Sequence, residues 1–163
     1  MRASRLVVAA ALALVLGAGA ARGGMEEGRA YYLQGSYMHA FSEFRPLAEA
    51  GNAEAAAYLG EYYLYGLAGP RNYAKALQWY QFSATHGNAD GQLGLGIMYA
   101  KGQGVPRDYV QAYMWLSLCA AQFPPGGDRD KVVATRDDIG KRMSPEALAD
   151  AQRRAAAFKP EGP

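Results

Sequence analysis

The segment Ala-Ala-Ala-Tyr-Leu-Gly-Glu-Tyr-Tyr-Leu-Tyr-Gly (55–66) is answered 36 residues later by Gly-Gln-Leu-Gly-Leu-Gly-Ile-Met-Tyr-Ala-Lys-Gly (91–102). Leu59, Gly60, Tyr63 and Gly66 fall on Leu95, Gly96, Tyr99 and Gly102. The correspondence continues without a gap. Pro70, Arg71, Tyr73, Ala76, Trp79 and Ala84 fall on Pro106, Arg107, Tyr109, Ala112, Trp115 and Ala120. Identities at one fixed offset across Ala55–Phe123 mark a repeat, and a period of this length marks stacked helix pairs. A degenerate copy precedes them, since Tyr37, Ala40, Ala48, Gly51, Asn52 and Ala53 lie 36 residues before Tyr73, Ala76, Ala84, Gly87, Asn88 and Ala89.

Punctuation divides the stretch into helices. The first two span about 25–34 and 37–50, with Met38, Phe41, Phe44 and Leu47 or Ala48 on one face of the second. Pro46 predicts a kink or a tightened last turn there, and Gly51-Asn52 closes that helix with residues that tolerate the left-handed conformation. The second unit pairs helices over 53–65 and 73–85, and the third pairs 89–101 with 108–122. Gly66 and Gly102 stop the first helix of each unit, Pro70 and Pro106 precede the second, and Asn72 and Asp108 are N-caps. Gly60 and Gly96 lie inside helices, where Gly costs about 1 kcal/mol against Ala. Their role is to let the paired helix approach closely, and Ala76, Ala84, Ala112 and Ala120 are small for the same reason. Leu59, Tyr63 and Trp79, with their counterparts Leu95, Tyr99 and Trp115, then fill the space between units, which must stack to bury them.

Two more helices follow. One covers 128–143, with Val132, Thr135, Ile139 and Met143 at helical spacing. The other is opened by Ser144-Pro145-Glu146, a cap, a first-turn proline and an acid at the positive end. Its apolar stripe is Leu148, Ala151, Ala155 and Phe158. The expected fold is all-α: a right-handed superhelix of about three helix pairs (units 25–52, 53–88 and 89–124 within 21–126), sealed by a helical cap over 127–158 with a tail over 159–163.

Residues 1–20 have the pattern of a secretion signal: basic Arg2 and Arg5, an apolar run from Leu6 to Leu16, then Ala18-Gly19-Ala20. The run is short for a membrane span, although an uncleaved anchor stays open as an alternative. The expected location is periplasmic or secreted. Arg2 and Arg5 also carry the formal charge of +2. The remainder is neutral and its charges are interspersed, which argues against nucleic acid as a partner. Cys119 is the single cysteine, so no internal disulfide can form. Its neighbours Trp115, Leu116 and Leu118 make it a small core residue. His39 and His86 have no companion at metal-ligand spacing, and no metal or cofactor is expected.

The segments 57–66 and 93–109, the latter running Leu-Gly-Leu-Gly-Ile-Met-Tyr-Ala-Lys-Gly-Gln-Gly-Val-Pro-Arg-Asp-Tyr, resemble the Sel-like repeat (SLR) family, a subclass of the tetratricopeptide-like solenoids. The family pattern is Leu-Gly-x-x-Tyr-x-x-Gly, a Gly-Val turn with Asp-Tyr, then Ala-x-x-Trp. The third unit matches closely, the second departs at Leu67-Ala68-Gly69, and the first matches only in its second half. The ending 136–146 also resembles the C-terminal extension of many exported bacterial members. The resemblance implies a non-catalytic adaptor that binds a peptide or protein, often in the bacterial envelope. A few cysteine-rich members are associated with β-lactam binding or hydrolysis. The disulfide-paired cysteines of those members are missing here, so that activity is not transferred.

Positions that differ between repeats are freer to bind. On the first helix of unit two these are Glu54, Tyr58, Glu61, Tyr62 and Tyr65, on one helical face. Their counterparts in unit three are Asp90, Gly94, Ile97, Met98 and Lys101. In stacked helix pairs this face lines the concave groove, so Glu54, Tyr58, Glu61, Tyr62, Tyr65, Ile97, Met98 and Lys101 are the expected partner-binding residues. All 12 tyrosines lie between Tyr31 and Tyr113, and tyrosine suits interfaces. The competing reading is that Tyr58, Tyr62 and Tyr65 pack between repeats. No catalytic constellation is visible, because Glu54 and Glu61 stand about 10 Å apart on their helix, at or beyond the usual reach of an acid/base pair. An envelope hydrolase, or an accessory subunit bound through its convex face or its cap, remain the alternatives.

Overall fold

The computed structural model describes residues 24–162, all of whose regular structure is helical. The secretion-signal pattern lies outside these residues. The helices are α1 (24–33), α2 (Tyr37–Glu49), α3 (Ala53–Tyr65), α4 (Tyr73–Thr85), α5 (Ala89–Lys101), α6 (Tyr109–Gln122), α7 (Gly127–Gly140) and α8 (Pro145–Ala157). Each helix packs on the next through α2–α7, α3 lies beside α5, and α8 packs on α6. The result is an all-α solenoid. No helix among the described residues is long and apolar enough to cross a membrane.

Local chemistry sets the boundaries. Asn52, Asn72, Asn88, Asp108 and Ser144 each accept a hydrogen bond from the amide three residues on, at Ala55, Lys75, Gly91, Gln111 and Ala147. Each such cap contributes about 1 kcal/mol. Asn52 differs from the expectation that it closes α2. Only Gly51 is left-handed there, at φ 95°. Asn52 is extended and caps the following helix instead. Its own amide still donates to the Leu47 carbonyl at 2.9 Å while Gly51 donates to Ala48 at 3.0 Å, the paired bonds of a Schellman ending. Pro46 is carried inside α2 with the ending after it intact.

The core runs along the seam between helix layers. Ala40, Phe44 and Ala48 form the buried stripe of α2, whereas Met38, expected on that stripe, is 64% exposed. Met38 stands two residues before Ala40, about 200° around a helix of 3.6 residues per turn, so it points away from the stripe that α2 buries. α7 also ends earlier than expected, at Gly140. Val132 and Ile139 are buried, Thr135 is exposed, and Met143 falls in the turn before α8. The chain then doubles back. Phe158 meets Trp115 edge to face at 5.3 Å, and the Glu161 amide donates to the Thr85 carbonyl at 2.8 Å. The tail therefore crosses to the end of α4 and ties the third unit to the second.

The helical glycines face one particular residue each. A methyl group on Gly28 would come within 2.5 Å of the Phe44 ring, on Gly60 within 2.6 Å of the Tyr80 ring, and on Gly96 within 2.9 Å of Leu116. Phe44, Tyr80 and Leu116 are one repeat position, 36 residues apart. Every unit therefore presses a large side chain of its second helix onto a bare glycine of its first.

Cys119 is fully buried. Loss of hydration, and more weakly the negative charge of Asp90, push its thiol up to about 12. Because the thiolate is the reactive species, the folded protein is expected to resist a thiol-alkylating reagent at pH 8. The same reagent should label it fully in denaturant. Rapid labelling of the folded protein would mean that α6 is not packed as described.

Candidate functional site

Between α3 and α5 the solenoid opens into a groove of about 370 Å³. Its origin is one difference between repeats. Tyr58 in unit two corresponds to Gly94 in unit three. The Tyr58 ring stacks on Phe44 at 4.1 Å, nearly parallel at 5°. At the next repeat the equivalent ring, Tyr80, meets Gly94 in place of a tyrosine. A methyl group on Gly94 would lie 2.3 Å from it. Tyr80 thus passes between Gly60 and Gly94 and reaches the groove from the second helix layer.

The groove is lined by Tyr58, Glu61 and Tyr65 of α3, by Asp90, Leu93, Gly94 and Ile97 of α5, and by Tyr32 of α1 with Tyr80 of α4. It therefore gathers Tyr58, Glu61, Tyr65 and Ile97 of the residues expected from sequence. Tyr65 is 55% exposed and Ile97 is half-buried. The others go elsewhere. Tyr62 is only 2% exposed and Met98 is not exposed at all. Both are corrections to the expected site. Tyr62 turns into the cluster of Phe41, Phe44 and Tyr37, with Phe41 at 5.6 Å. Met98 packs with Leu95, Leu64 and Trp115. A helix held by neighbours on several sides buries most of its circumference, so a shared helical face does not imply shared exposure. Lys101 is exposed but lies at a separate surface cleft with Tyr109 and Arg142. Glu54 is taken by Arg29 of α1, whose Nε donates at 2.9 Å. Tyr32, Leu93 and Tyr80 were not singled out by the sequence. Tyr80 was hidden because Phe44 and Leu116, its repeat counterparts, are plain core residues.

The electrostatics are acidic. The Tyr32 hydroxyl donates to Glu61 Oε1 at 2.8 Å. Even so, burial first, and then the charge of Asp90, hold the Glu61 carboxyl above its usual range. Asp90 is raised as well, by desolvation and by Glu54. Burial likewise raises the Tyr32, Tyr58 and Tyr80 phenols, so all three are neutral hydroxyls at physiological pH. A carboxyl whose pKa is raised in the folded state contributes stability at low pH that is lost as pH rises through the folded value. Glu61→Gln keeps the bond from Tyr32 and removes the charge. It should therefore raise the melting temperature at pH 7 and leave it unchanged at pH 4. A lower melting temperature at pH 7 would refute this.

The buried Tyr62 hydroxyl has no hydrogen-bond partner among the described residues. An unsatisfied buried hydroxyl costs about 1–3 kcal/mol. Tyr62→Phe should stabilise the protein by about 1 kcal/mol in urea denaturation and leave partner binding unaltered. A loss of stability would show that the hydroxyl is satisfied in solution.

A family model for the Sel1 repeat matches residues 53–88 and 89–122. The match consists of two consecutive repeats. They correspond to α3–α4 and α5–α6, whose first helices, α3 and α5, face each other across the groove. A crystal structure of a protective antigen of uropathogenic Escherichia coli strains, displaying an SLR fold, superposes with a TM-score of 0.75 at 25% identity, over 85% of this chain and 29% of that one. A Sel1 repeat protein from Oxalobacter formigenes gives a TM-score of 0.63 at 27% identity, over 83% of this chain and 56% of that one. This chain thus spans well under two thirds of either length. Comparison with curated proteins gave no match. Sel1 repeats are in general protein–protein interaction modules.

Proposed function

We propose that the Sel1 units form a non-catalytic adaptor of the bacterial cell envelope, which binds a peptide or protein segment in the groove between α3 and α5. The observation that carries this reading is the groove's wall. Tyr65 and Ile97 offer apolar surface to solvent, while Tyr58 and Tyr80 are held rigidly from behind by Phe44 and by the two glycines. Pre-ordered aromatic rings lose little entropy on binding and are typical of interface hot spots. The secretion-signal pattern of residues 1–20 supports an envelope location.

The test is affinity capture from envelope extract with the tagged protein, repeated with Tyr65→Ala/Ile97→Ala, a pair exposed enough to leave the fold intact by circular dichroism. The expected result is a protein partner whose recovery falls at least tenfold with the variant. Undiminished recovery would move binding to another surface, such as the convex face. One observation favours a hydrolase instead, namely two raised carboxyls, Glu61 and Asp90, in one groove. A hydrolysis rate abolished by Glu61→Gln would replace the adaptor reading.

A further inference from the structure

The groove has a charge problem that no group of its own solves. Glu61 and Asp90 both line it, and among the described residues its lining contains no Lys, Arg or His. The nearest cation on the α1 side, Arg29, is already engaged by Glu54 and by Glu26 at 2.8 Å. Carboxylates that have lost hydration without gaining a counter-charge are destabilising. A second feature belongs to the same groove. Tyr80 is 5% exposed, yet it lines the groove, and its hydroxyl makes no hydrogen bond to any described residue. The exposed Tyr65 ring adds a π-face on which a cation is favoured, and the half-buried Tyr58 ring lines the same groove. Among the described residues no group of three potential ligands lies close enough to hold a metal ion, so an organic cation fits the site better than a divalent one.

We propose that the groove receives the cationic head of an arginine or lysine side chain, projecting from an exposed segment of the partner protein, between the Glu61 and Asp90 carboxylates and the Tyr58, Tyr65 and Tyr80 rings. This rests on the groove reading given above and specifies its occupant. The carboxylates accept charge-assisted hydrogen bonds from the head group. The apolar stem of the side chain lies on Ile97 and Leu93. An acidic segment is rejected by repulsion, and a neutral one leaves the carboxylates uncompensated, so the site selects as well as binds.

A library of random 12-residue peptides displayed on phage tests this, selected on the immobilised protein at low salt. The selected peptides are then synthesised and measured by fluorescence anisotropy. They are expected to share one Arg or Lys. Replacing it by Gln should weaken binding at least tenfold. Glu61→Gln/Asp90→Asn in the protein should cause the same loss, after which the peptide's Arg or Lys no longer matters. Peptides that lack a shared basic residue, or that ignore Glu61→Gln/Asp90→Asn, overturn the cation inference. If those peptides are still lost with Tyr65→Ala/Ile97→Ala, the groove reading survives without it. Peptides indifferent to Tyr65→Ala/Ile97→Ala, or a library that yields no binder, remove the groove reading and this inference together. Circular dichroism of each variant separates lost contact from lost fold.

Discussion

Phe44→Ala is expected to destabilise the protein by about 3–5 kcal/mol in chemical denaturation, the range for deleting a buried ring. Phe44 has no exposed surface. Its ring is pressed onto Gly28 on one side and stacked on Tyr58 at 4.1 Å, with the Tyr62 ring edge-on at 6.5 Å. Truncation leaves a void that none of these can fill without breaking a second contact, and the stacked pair contributes about 0.5–1.5 kcal/mol beyond buried area. Tyr58 loses its backing, so peptide binding in the groove should weaken along with stability. Phe44→Tyr separates the two repeat environments. At the equivalent position Tyr80 sends its hydroxyl past Gly94, but at position 44 that exit is filled by Tyr58. The added hydroxyl is then buried without a partner and should cost about 1–3 kcal/mol. A loss below 1 kcal/mol for Phe44→Ala would mean that the first unit is not packed as described.

The contrast between positions 44 and 80 also shows what the sequence can and cannot reveal here. The fold was readable because every repeated residue has a local physical task. Gly66 and Gly102 end α3 and α5 in the left-handed conformation, Asn72 and Asp108 cap the helices that follow, and Gly60 and Gly96 receive a side chain from the paired helix. Those tasks depend only on neighbours within one unit. The groove depends on neighbours between units, and there the spacing was ambiguous. Tyr58, Tyr62 and Tyr65 share a helical face by position. Only the placement of α1, α2 and α5 around α3 decides that Tyr62 is sealed in, Tyr58 is half-buried and Tyr65 faces solvent. The bond from Arg29 to Glu54 crosses from the degenerate first unit, for which no repeat counterpart offers a guide. Asp90 and Gly94 were visible as counterparts of Glu54 and Tyr58. Their joint effect, an acidic opening floored by Tyr80, arises only when α3 and α5 are set side by side.

The close fit of Tyr80 predicts a reversal of sign. Gly60→Ala and Gly94→Ala each add a methyl group that helix propensity alone would reward by about 1 kcal/mol. In the wild-type background each should instead destabilise, because the new carbon would lie within 2.6 Å and 2.3 Å of the Tyr80 ring. The ring is nearly fully buried and cannot swing clear, and overpacking of this kind costs about 1–3 kcal/mol. In a Tyr80→Ala background the obstacle is gone. There the same two substitutions should be neutral or stabilising by up to about 1 kcal/mol, even though Tyr80→Ala by itself leaves a large void. The double-mutant cycle should therefore give a coupling of roughly 2 kcal/mol between each glycine and Tyr80, at the upper part of the range for residues in contact. Urea denaturation of the four variants in each cycle measures it. If Gly94→Ala stabilises the protein while Tyr80 is present, the ring does not pass between α3 and α5, and the groove loses the aromatic floor on which its binding role depends.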